Sequence, residues 1–191
     1  MVMLSKLRHF VIIDDSGARA KLLDLAIVPE ADYPPITHLL LNNERREQIV
    51  LPWKEVEQIE WRRGEIKVSN LGVAEATTDD WLKKQLLLRR DVMDALVLDL
   101  HNRRATRAND LWLEKDDGQL LLKAADTSAG AVLRRLTRGR FGAKPSRAPY
   151  DWKYIEFLRG DPHAVRNGEG DRMRIRRLPA GDLAGLHRSL P

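Results

Sequence analysis

The chain has 191 residues, no cysteine and a formal net charge of +5. The absence of cysteine excludes disulfides, thiolate zinc sites and cysteine nucleophiles. No apolar run approaches the roughly 20 residues that a membrane-spanning helix needs. The only apolar block near the N-terminus, residues 10–13, is too short for the core of a signal peptide. We therefore expect a cytoplasmic protein, either free or peripheral to the inner membrane.

Short strands separated by turns are predicted in residues 10–68. Residues 10–14 and 18–28 are typical of a β-hairpin, because Gly17 supplies the positive φ that a tight turn needs. The apolar segments 36–41 and 46–53 predict two further strands, and two brief strands flank the turn at 62–64. About six short strands in roughly 70 residues favour a closed barrel, which leaves no open edge. The predicted fold class is therefore mainly β.

The second half of the chain repeats the pattern of the first. The stretches FVIIDDSGARAKLLDLAIV and LVLDLHNRRATRANDLWLE each contain an apolar strand, an acid, a polar turn and a basic strand that leads to Asp-Leu. This alignment pairs Asp24 with Asp110 and Trp53 with Trp152. Asp24 and Trp53 are 29 residues apart, whereas Asp110 and Trp152 are 42 apart, so the second copy holds 13 extra residues. We place this insertion at 134–147, a basic stretch of similar length.

Two helices are predicted outside the strands. Residues 74–90, between the copies, favour a helical linker with Thr77 and Asp80 as a capping box and with cations at its end. The tail, residues 179–191, favours a short C-terminal helix. The predicted organisation is a first barrel at 1–73, the linker at 74–90, a second barrel at 91–178 and the helix at 179–191.

The residues of both copies resemble a known family. The stretch from Leu86 to Leu136 is similar to the PRC-barrel region of bacterial proteins that carry MgtE-type magnesium-transporter intracellular domains. Arg107–Asp110 and Leu133–Leu136 carry this likeness most specifically. The first copy resembles the same module through VIIDDSGARAKLLDL and LPWKEV, and the tail is similar to the opening of the MgtE-type N-terminal domain. The resemblance implies two tandem small PRC-type β-barrels.

This resemblance also implies a function. PRC-barrels occur in the cytoplasmic subunit of photosynthetic reaction centres and in a ribosome-maturation factor, where the barrel docks on other macromolecules. We therefore expect a non-enzymatic adaptor or scaffold, such as a peripheral subunit of a membrane complex related to the reaction centre or to magnesium transport. The alternative is an RNA- or ribosome-associated maturation factor, which the basic charge favours and the lack of an aromatic RNA-binding motif disfavours.

No motif in the chain indicates catalysis, a metal or a cofactor. The five histidines are scattered and lack the HxxxH or HExxH spacing of zinc sites. The acid pairs at 14–15, 79–80 and 116–117 lie at predicted turns or helix starts, where aspartate bonds to the backbone. A metal-binding role for these acids is the alternative. We predict no catalytic, metal-binding or cofactor-binding residue, although a catalytic set assembled in three dimensions is not excluded by motifs.

The five tryptophans divide into two groups. Trp53 and Trp152 occupy equivalent positions after a strand, and we expect each to fill the core of its barrel. Trp61, Trp81 and Trp112 have no counterpart in the other copy. Unmatched tryptophans are candidates for a contact surface because the residue is enriched at binding hot spots, with burial in the core as the alternative.

The basic insertion is the predicted partner-binding site. Between Asp126 and Asp151 the chain has six cations and no acid, and their removal would change the net charge of the second half from +5 to −1. Arginine, which predominates, suits bidentate contact with carboxylate or phosphate. A solvated loop is the alternative, although added loops often carry function. The predicted partner-binding residues are Arg134, Arg135, Arg138, Arg140, Phe141, Lys144 and Arg147.

Overall fold

A computed structural model of the chain describes residues 1–101, 103–136 and 149–157. Within these ranges the protein is mainly β, as the strand pattern of the sequence predicts. The strands are β1 (Val2–Met3), β2 (Val11–Asp14), β3 (Arg19–Ile27), β4 (Ile36–Asn42), β5 (Gln48–Pro52), β6 (Val56–Glu60), β7 (Glu65–Val68), β8 (Glu75–Ala76), β9 (Leu86–Leu87), β10 (Leu96–Asp99), β11 (Arg104–Arg107), β12 (Asp110–Asp116), β13 (Gln119–Asp126), β14 (Tyr150–Asp151) and β15 (Ile155–Phe157).

The helical segments of the described ranges are all short. Two are α-helices, α1 (Asp79–Lys84) and α2 (Ala129–Leu136). The others are 3-10 turns at Leu4–His9, Trp53–Glu55, Leu71–Val73 and Trp152–Tyr154, and a π-helical turn at Leu88–Val92. None of the helices in the described ranges is long and apolar enough to cross a membrane.

The first copy forms one continuous sheet with the strand order β6-β7-β2-β3-β4-β5-β8, and β9 pairs with β3 at its side. β2 and β3 are the predicted hairpin, and Gly17 in its turn has a φ of 85°. Alternation is visible in the first half of β3, where Ala20 and Leu22 are buried between more exposed neighbours. The period-2 pattern of the sequence therefore places one face of this sheet on the core.

The second copy divides into two sheets, β1-β12-β13-β14 and β11-β10-β15. The break falls at Ala108 and Asn109, between β11 and β12. The backbone N–H of Ala108 donates to Ala95, whereas the Asn109 side-chain amide donates to the carbonyl groups of Thr127 and Ser128. Neither these two sheets nor the sheet of the first copy closes on itself within the described residues, so the predicted closed barrels are not found there.

A short strand that precedes the β-hairpin of each copy pairs with the sheet of the other copy. β1 pairs with β12, which places Met3 opposite Trp112. β9, which precedes the second copy, pairs with β3 and places Leu87 opposite Ala26. Ala26 and Trp112 are equivalent positions, two residues after the aligned Asp24 and Asp110. The two pairings are therefore equivalent: a short strand before each copy pairs with the same position in the other copy, so the two copies exchange these strands.

The aligned aspartates, Asp24 and Asp110, form hydrogen bonds with the segments that carry the exchanged strands. Asp24 is 4% exposed, and its carboxylate accepts backbone N–H groups from Leu25 at 2.8 Å, Arg89 at 2.8 Å and Arg90 at 3.0 Å. Burial raises the pKa of Asp24, and these hydrogen bonds oppose that shift. The segment that enters the second copy is thereby held by a carboxylate of the first.

Asp110 makes the reciprocal contact. Its carboxylate accepts the backbone N–H of Leu111 at 2.9 Å, the N–H of Ser5 at 3.1 Å and the Ser5 hydroxyl at 2.6 Å. Burial raises the pKa of Asp110 as well, and the bonds from Ser5 lower it. Ser5 lies in the turn that enters the first copy, so each entry segment is clamped by the other copy.

One hydrophobic core runs through both copies. The cluster of buried side chains extends from Leu4 to Trp152 and includes both aligned tryptophans. Trp53 and Trp152 are 4% and 5% exposed, which confirms their predicted burial. The Trp53 indole also donates to the Gly118 carbonyl of the second copy at 3.2 Å. The described parts of the two copies consequently share a core instead of enclosing one each.

The predicted helical linker at 74–90 is helical over a shorter range. α1 covers only Asp79–Lys84, and its N-cap is Thr78, which accepts the N–H of Trp81, in place of the predicted Thr77. The Thr77 hydroxyl instead donates to the carbonyl of Gln48. Residues 86–92 then form β9 and the π-helical turn, because their amides bind the Asp24 and Asp91 carboxylates.

Candidate functional site

An apolar stripe lies along the outer side of β10. Strand alternation directs Val97 and Asp99 into the interior and leaves Leu96, Leu98 and Leu100 on the opposite side. Leu96 is 39% exposed and Leu100 is 41% exposed. Leu98 is half-buried, and Leu100 lies in the turn just after β10. Single exposed leucines are common, whereas several close together are typical of protein interfaces.

Tyr154 extends the stripe at the end of the turn Trp152–Tyr154. Its side chain is 44% exposed, and its carbonyl accepts the N–H of Leu100 at 2.8 Å, which places it directly beside β10. The buried Trp152 anchors this turn, and the Asp151 carboxylate caps it by accepting the N–H of Lys153 at 3.2 Å. Tyr154 is therefore exposed but held on a fixed backbone.

Polar and aromatic groups border Tyr154. The His101 ring lies 5.4 Å from the Tyr154 ring, centroid to centroid, and the Lys153 ammonium is 4.8 Å from the same ring. The side-chain contact with Tyr154, followed by the charge of Asp151, raises the pKa of Lys153. The Lys153 ammonium thus lies between the Tyr154 ring and the Asp151 carboxylate, from which it is 3.6 Å away.

The side chain of Tyr33 forms a hydrogen bond with Asp151. The Tyr33 hydroxyl donates to the Asp151 carboxylate at 3.1 Å, and the Lys123 ammonium lies 4.1 Å from the Tyr33 ring centroid. Burial and the neighbouring carboxylate raise the pKa of Tyr33, so the phenol stays protonated and available as a donor. Tyr33 belongs to the first copy and Lys123 to the second, so residues of both copies contribute to the position of Asp151.

The first copy lacks the two exposed side chains at the end of this stripe. The residues equivalent to Leu100 and Tyr154 are Asp15 and Glu55, as the alignment of Asp14 with Asp99 and Trp53 with Trp152 requires. The positions equivalent to Leu96 and Leu98 are apolar in the first copy too, Val11 and Ile13. Charged residues lie opposite these positions in both copies, for example Lys21 and Glu65 opposite Val11, Arg107 opposite Leu96 and Glu156 opposite Leu98. Leu100 and Tyr154 are therefore the stripe positions that distinguish the second copy from the first.

The predicted basic site is only partly within the described residues. Arg134 and Arg135 belong to α2 rather than to a loop, because the Ser128 hydroxyl caps this helix by accepting the N–H of Ala131. Tyr150, which follows the basic stretch in the sequence, pairs with Ala125 near the end of β13. Arg138, Arg140, Phe141, Lys144 and Arg147 lie outside the described residues, as does the predicted helix at 179–191.

Two of the acids in the predicted turn and helix-start pairs contact groups within the fold. No group of three or more His, Asp or Glu in the described part of the chain is placed to hold a metal ion. Asp14 accepts hydrogen bonds from Ser16 and from the backbone N–H groups of Ala18 and Leu71, and the Ser16 hydroxyl contributes most to lowering its pKa. Asp80 forms an ion pair with Lys84 within α1 at 2.7 Å. His163 and His187 lie outside the described residues.

The unmatched tryptophans differ in their surroundings. Trp81 is partly buried, packs on Ala26, Leu40 and Leu87, and has its ring 5.8 Å from that of His38. Trp112 is partly buried, and its indole nitrogen has no hydrogen-bond partner within the described structure. Trp61 is 42% exposed, which leaves it as the contact-surface candidate.

Sequence reasoning did not single out Leu100 or Tyr154. The signal was present in the repeat itself, because each replaces an acid of the first copy. Large apolar residues at exposed positions where the other copy has acids are candidates for a contact surface. The chain matches no protein-family model, no curated protein and no solved structure.

Proposed function

We propose that this chain is a non-enzymatic adaptor that docks on a protein partner through the apolar stripe of its second copy. We define the stripe as Leu96, Leu98, Leu100 and Tyr154. The observation that carries the proposal is the difference between the copies: in the first copy the module folds with acids at two of the stripe positions. Exposed tyrosine and a nearby lysine are suited to the centre and border of a protein interface.

The architecture we propose is a tandem pair of PRC-type modules whose entry segments are exchanged. The equivalent hairpins, aspartates and tryptophans support this reading, and so do the reciprocal strand pairings of β1 and β9. Residues 1–73 and 91–178 would be the two modules. The resemblance to PRC-barrel proteins leads us to propose a cytoplasmic location, with the cytoplasmic face of a membrane complex as the docking partner.

The basic segment would assist docking by electrostatic attraction. Its cations, Arg134, Arg135, Arg138, Arg140, Lys144 and Arg147, follow β13 in sequence and lead directly to the turn that carries Tyr154. Opposite charges across an interface chiefly raise the association rate, and salt weakens this effect beyond a Debye length of about 8 Å. We therefore propose a partner surface that is apolar at its centre and acidic at its edge.

The test replaces two stripe residues by those of the first copy, Leu100→Asp with Tyr154→Glu. The matched control makes two acidic substitutions at other exposed apolar positions, Val28→Asp with Val73→Glu. Each tagged protein is recovered from its native cells, with and without nuclease, and the stoichiometry of recovered partners is measured. We expect one protein near equal stoichiometry, lost with the stripe variant and retained with the control.

Three results would contradict the proposal. The first is equal partner recovery by the stripe variant and the wild type. The second is equal loss with the control, which would indicate a general effect of added charge. The third is recovery that depends on RNA, which would favour the ribosome-associated alternative. Melting temperatures of both variants are compared with the wild type, because only a folded variant reports on docking.

A further inference from the structure

β11 is the edge strand of the sheet that carries the stripe. In the order β11-β10-β15, no strand of the described residues pairs with the far side of β11. The N–H of Ala108 donates to the carbonyl of Ala95, just before β10, at 3.1 Å. Because hydrogen-bonded residues alternate along an antiparallel strand, Thr106 also faces β10, whereas the N–H and carbonyl groups of Ala105 and Arg107 point away from it. These outward groups have no strand partner in the described part of the chain.

The first copy covers part of the equivalent edge. There β3 is continuous, and Lys21, the counterpart of Arg107, pairs with Asn42 of β4. The register of β12 with β13 makes Ser128 the counterpart of Asn42. Ser128 instead caps α2, and the side-chain amide of Asn109 donates to its carbonyl at 3.1 Å. The chain therefore leaves the sheet at this point, and the edge beside Arg107 stays open in the second copy.

The chemistry of β11 specifies what can pair with it. Its outward groups are backbone donors and acceptors in a row, which an extended segment satisfies. The sequence of the strand is Arg-Ala-Thr-Arg, and Arg107 is exposed. Pairing of two β11 strands would bring like charges close together, which is destabilising. An extended, non-basic segment of another protein therefore fits this edge better than a second copy of the chain.

The edge is continuous with the stripe. On the outer face of the sheet, Leu98 lies directly opposite Ala105, and Leu96 lies opposite Arg107. An added strand would lie about 4.8 Å beyond β11. Because the Ala105 side chain is a single methyl group, a long apolar side chain of that strand can lie over it toward Leu98. One partner surface can thus contact both the edge and the stripe.

We propose that the protein partner docks by adding an extended segment to the free edge of β11, beside the stripe. This inference rests on the proposed function and specifies how the partner binds. Backbone hydrogen bonds to Ala105 and Arg107 form the pairing, and an apolar side chain over Ala105 contacts Leu98. Addition of a strand to an exposed sheet edge is a recurring mode of peptide recognition, in which the backbone supplies affinity and alternate side chains supply specificity.

Proline at position 105 tests the pairing. Ala105→Pro removes an N–H that points away from β10, an orientation in which edge strands tolerate proline. The matched control is Arg19→Pro, because Arg19 is the counterpart of Ala105 and its N–H also points away from the neighbouring strand, β2. Each tagged full-length protein is recovered from its native cells beside the stripe variant, Leu100→Asp with Tyr154→Glu. We expect Ala105→Pro to lower partner recovery about ten-fold or more, and Arg19→Pro to leave it nearly unchanged.

Amide hydrogen exchange of the wild type gives a second readout that does not depend on the folding of a variant. In the free protein, the N–H groups of Ala105 and Arg107 should exchange faster than that of Thr106, which pairs with Val97 on β10. In the complex recovered from native cells, we expect the N–H groups of Ala105 and Arg107 to become protected, and that of Thr106 to change little.

The outcomes separate this inference from the proposed function. Loss of the partner with the stripe variant but not with Ala105→Pro overturns the strand pairing and leaves the stripe as the docking surface. Equal recovery by the stripe variant and the wild type refutes the proposed function itself. Equal loss with both proline variants, or unchanged exchange at Ala105 and Arg107 in the complex, also overturns the pairing. Protection of these two amides in the free protein overturns it as well, because another segment or another copy of this chain would then occupy the edge.

Discussion

Replacement of Asp24 by alanine tests the strand exchange between the copies most sharply. The change removes the acceptor of three backbone N–H groups, two of which belong to Arg89 and Arg90 in the segment entering the second copy. Each buried donor left without a partner costs about 1–3 kcal/mol. Relief from the buried charge, which raises the pKa of Asp24, offsets part of this cost. We expect a net loss of about 3–5 kcal/mol in the free energy of unfolding, as for removal of a paired buried charge.

The corresponding asparagine variants separate hydrogen bonding from shape. In Asp24→Asn, the new amide nitrogen must face the backbone N–H of Arg90, which is also a donor, so we expect a loss of about 1–3 kcal/mol. In Asp110→Asn, the same nitrogen faces the Ser5 hydroxyl, which can reverse its role and accept. We therefore expect Asp110→Asn to cost less than about 1 kcal/mol.

Chemical denaturation with a common slope measures all three variants. The reasoning is refuted if Asp24→Ala costs less than about 1 kcal/mol, because that would leave the donors solvated or satisfied elsewhere. It is equally refuted if the two asparagine variants cost the same, since the difference rests on the partner of one oxygen atom in each site. A double variant, Asp110→Asn with Ser5→Ala, removes the hydroxyl that can reverse its role and should lose the tolerance of Asp110→Asn.

Three further predictions follow from burial and charge. Trp53→Ala and Trp152→Ala should each lower the free energy of unfolding by about 3–5 kcal/mol, and a thermal-denaturation change within about 0.5 kcal/mol would place the ring outside the core. Burial raises the pKa of Asp24 and Asp110 above 3.8, so their contribution is full below that value and is lost as pH rises through the raised pKa. The difference in free energy of unfolding between the wild type and the double variant Asp24→Asn/Asp110→Asn should therefore shift in favour of the wild type as the pH is lowered from neutral to acidic. Denaturant titrations that show the opposite pH dependence would contradict this prediction. Added salt should slow association with the partner far more than it speeds dissociation, as kinetic binding measurements can determine, and an unchanged association rate would exclude attraction by the basic segment.

Local sequence patterns predict the hairpins and the buried tryptophans, but not the pairing of β1 and β9 with the opposite copy. Alternation and Gly17 predict the β2–β3 hairpin, and the repeat predicts equivalent roles for Trp53 and Trp152. By contrast, β1 is only two residues long, and its partner β12 lies more than a hundred residues away. No local pattern of two residues specifies a distant strand, so the pairing depends on the carboxylate of Asp110 and on the shared core.

Local helix propensity also does not predict where the linker helix ends. Residues 74–90 favour a helix, yet α1 ends at Lys84, and the amides of Leu87, Arg89 and Arg90 bind the carboxylates of Asp91 and Asp24 instead. Tertiary hydrogen bonds from a distant strand therefore override the local preference. The stripe was detectable in principle, since Leu100 and Tyr154 replace acids of the first copy, but its exposure required the structure.

Site-specific photocrosslinking in native cells tests the docking proposal most directly. A photoreactive phenylalanine derivative is placed at Leu100 and, in a second protein, at the equivalent position of the first copy, Asp15. Both positions are exposed, so both can react with any adjacent molecule. The account predicts one discrete cross-linked protein from position 100 and no such product from position 15. Products of equal yield from both positions, or none from position 100, would contradict it.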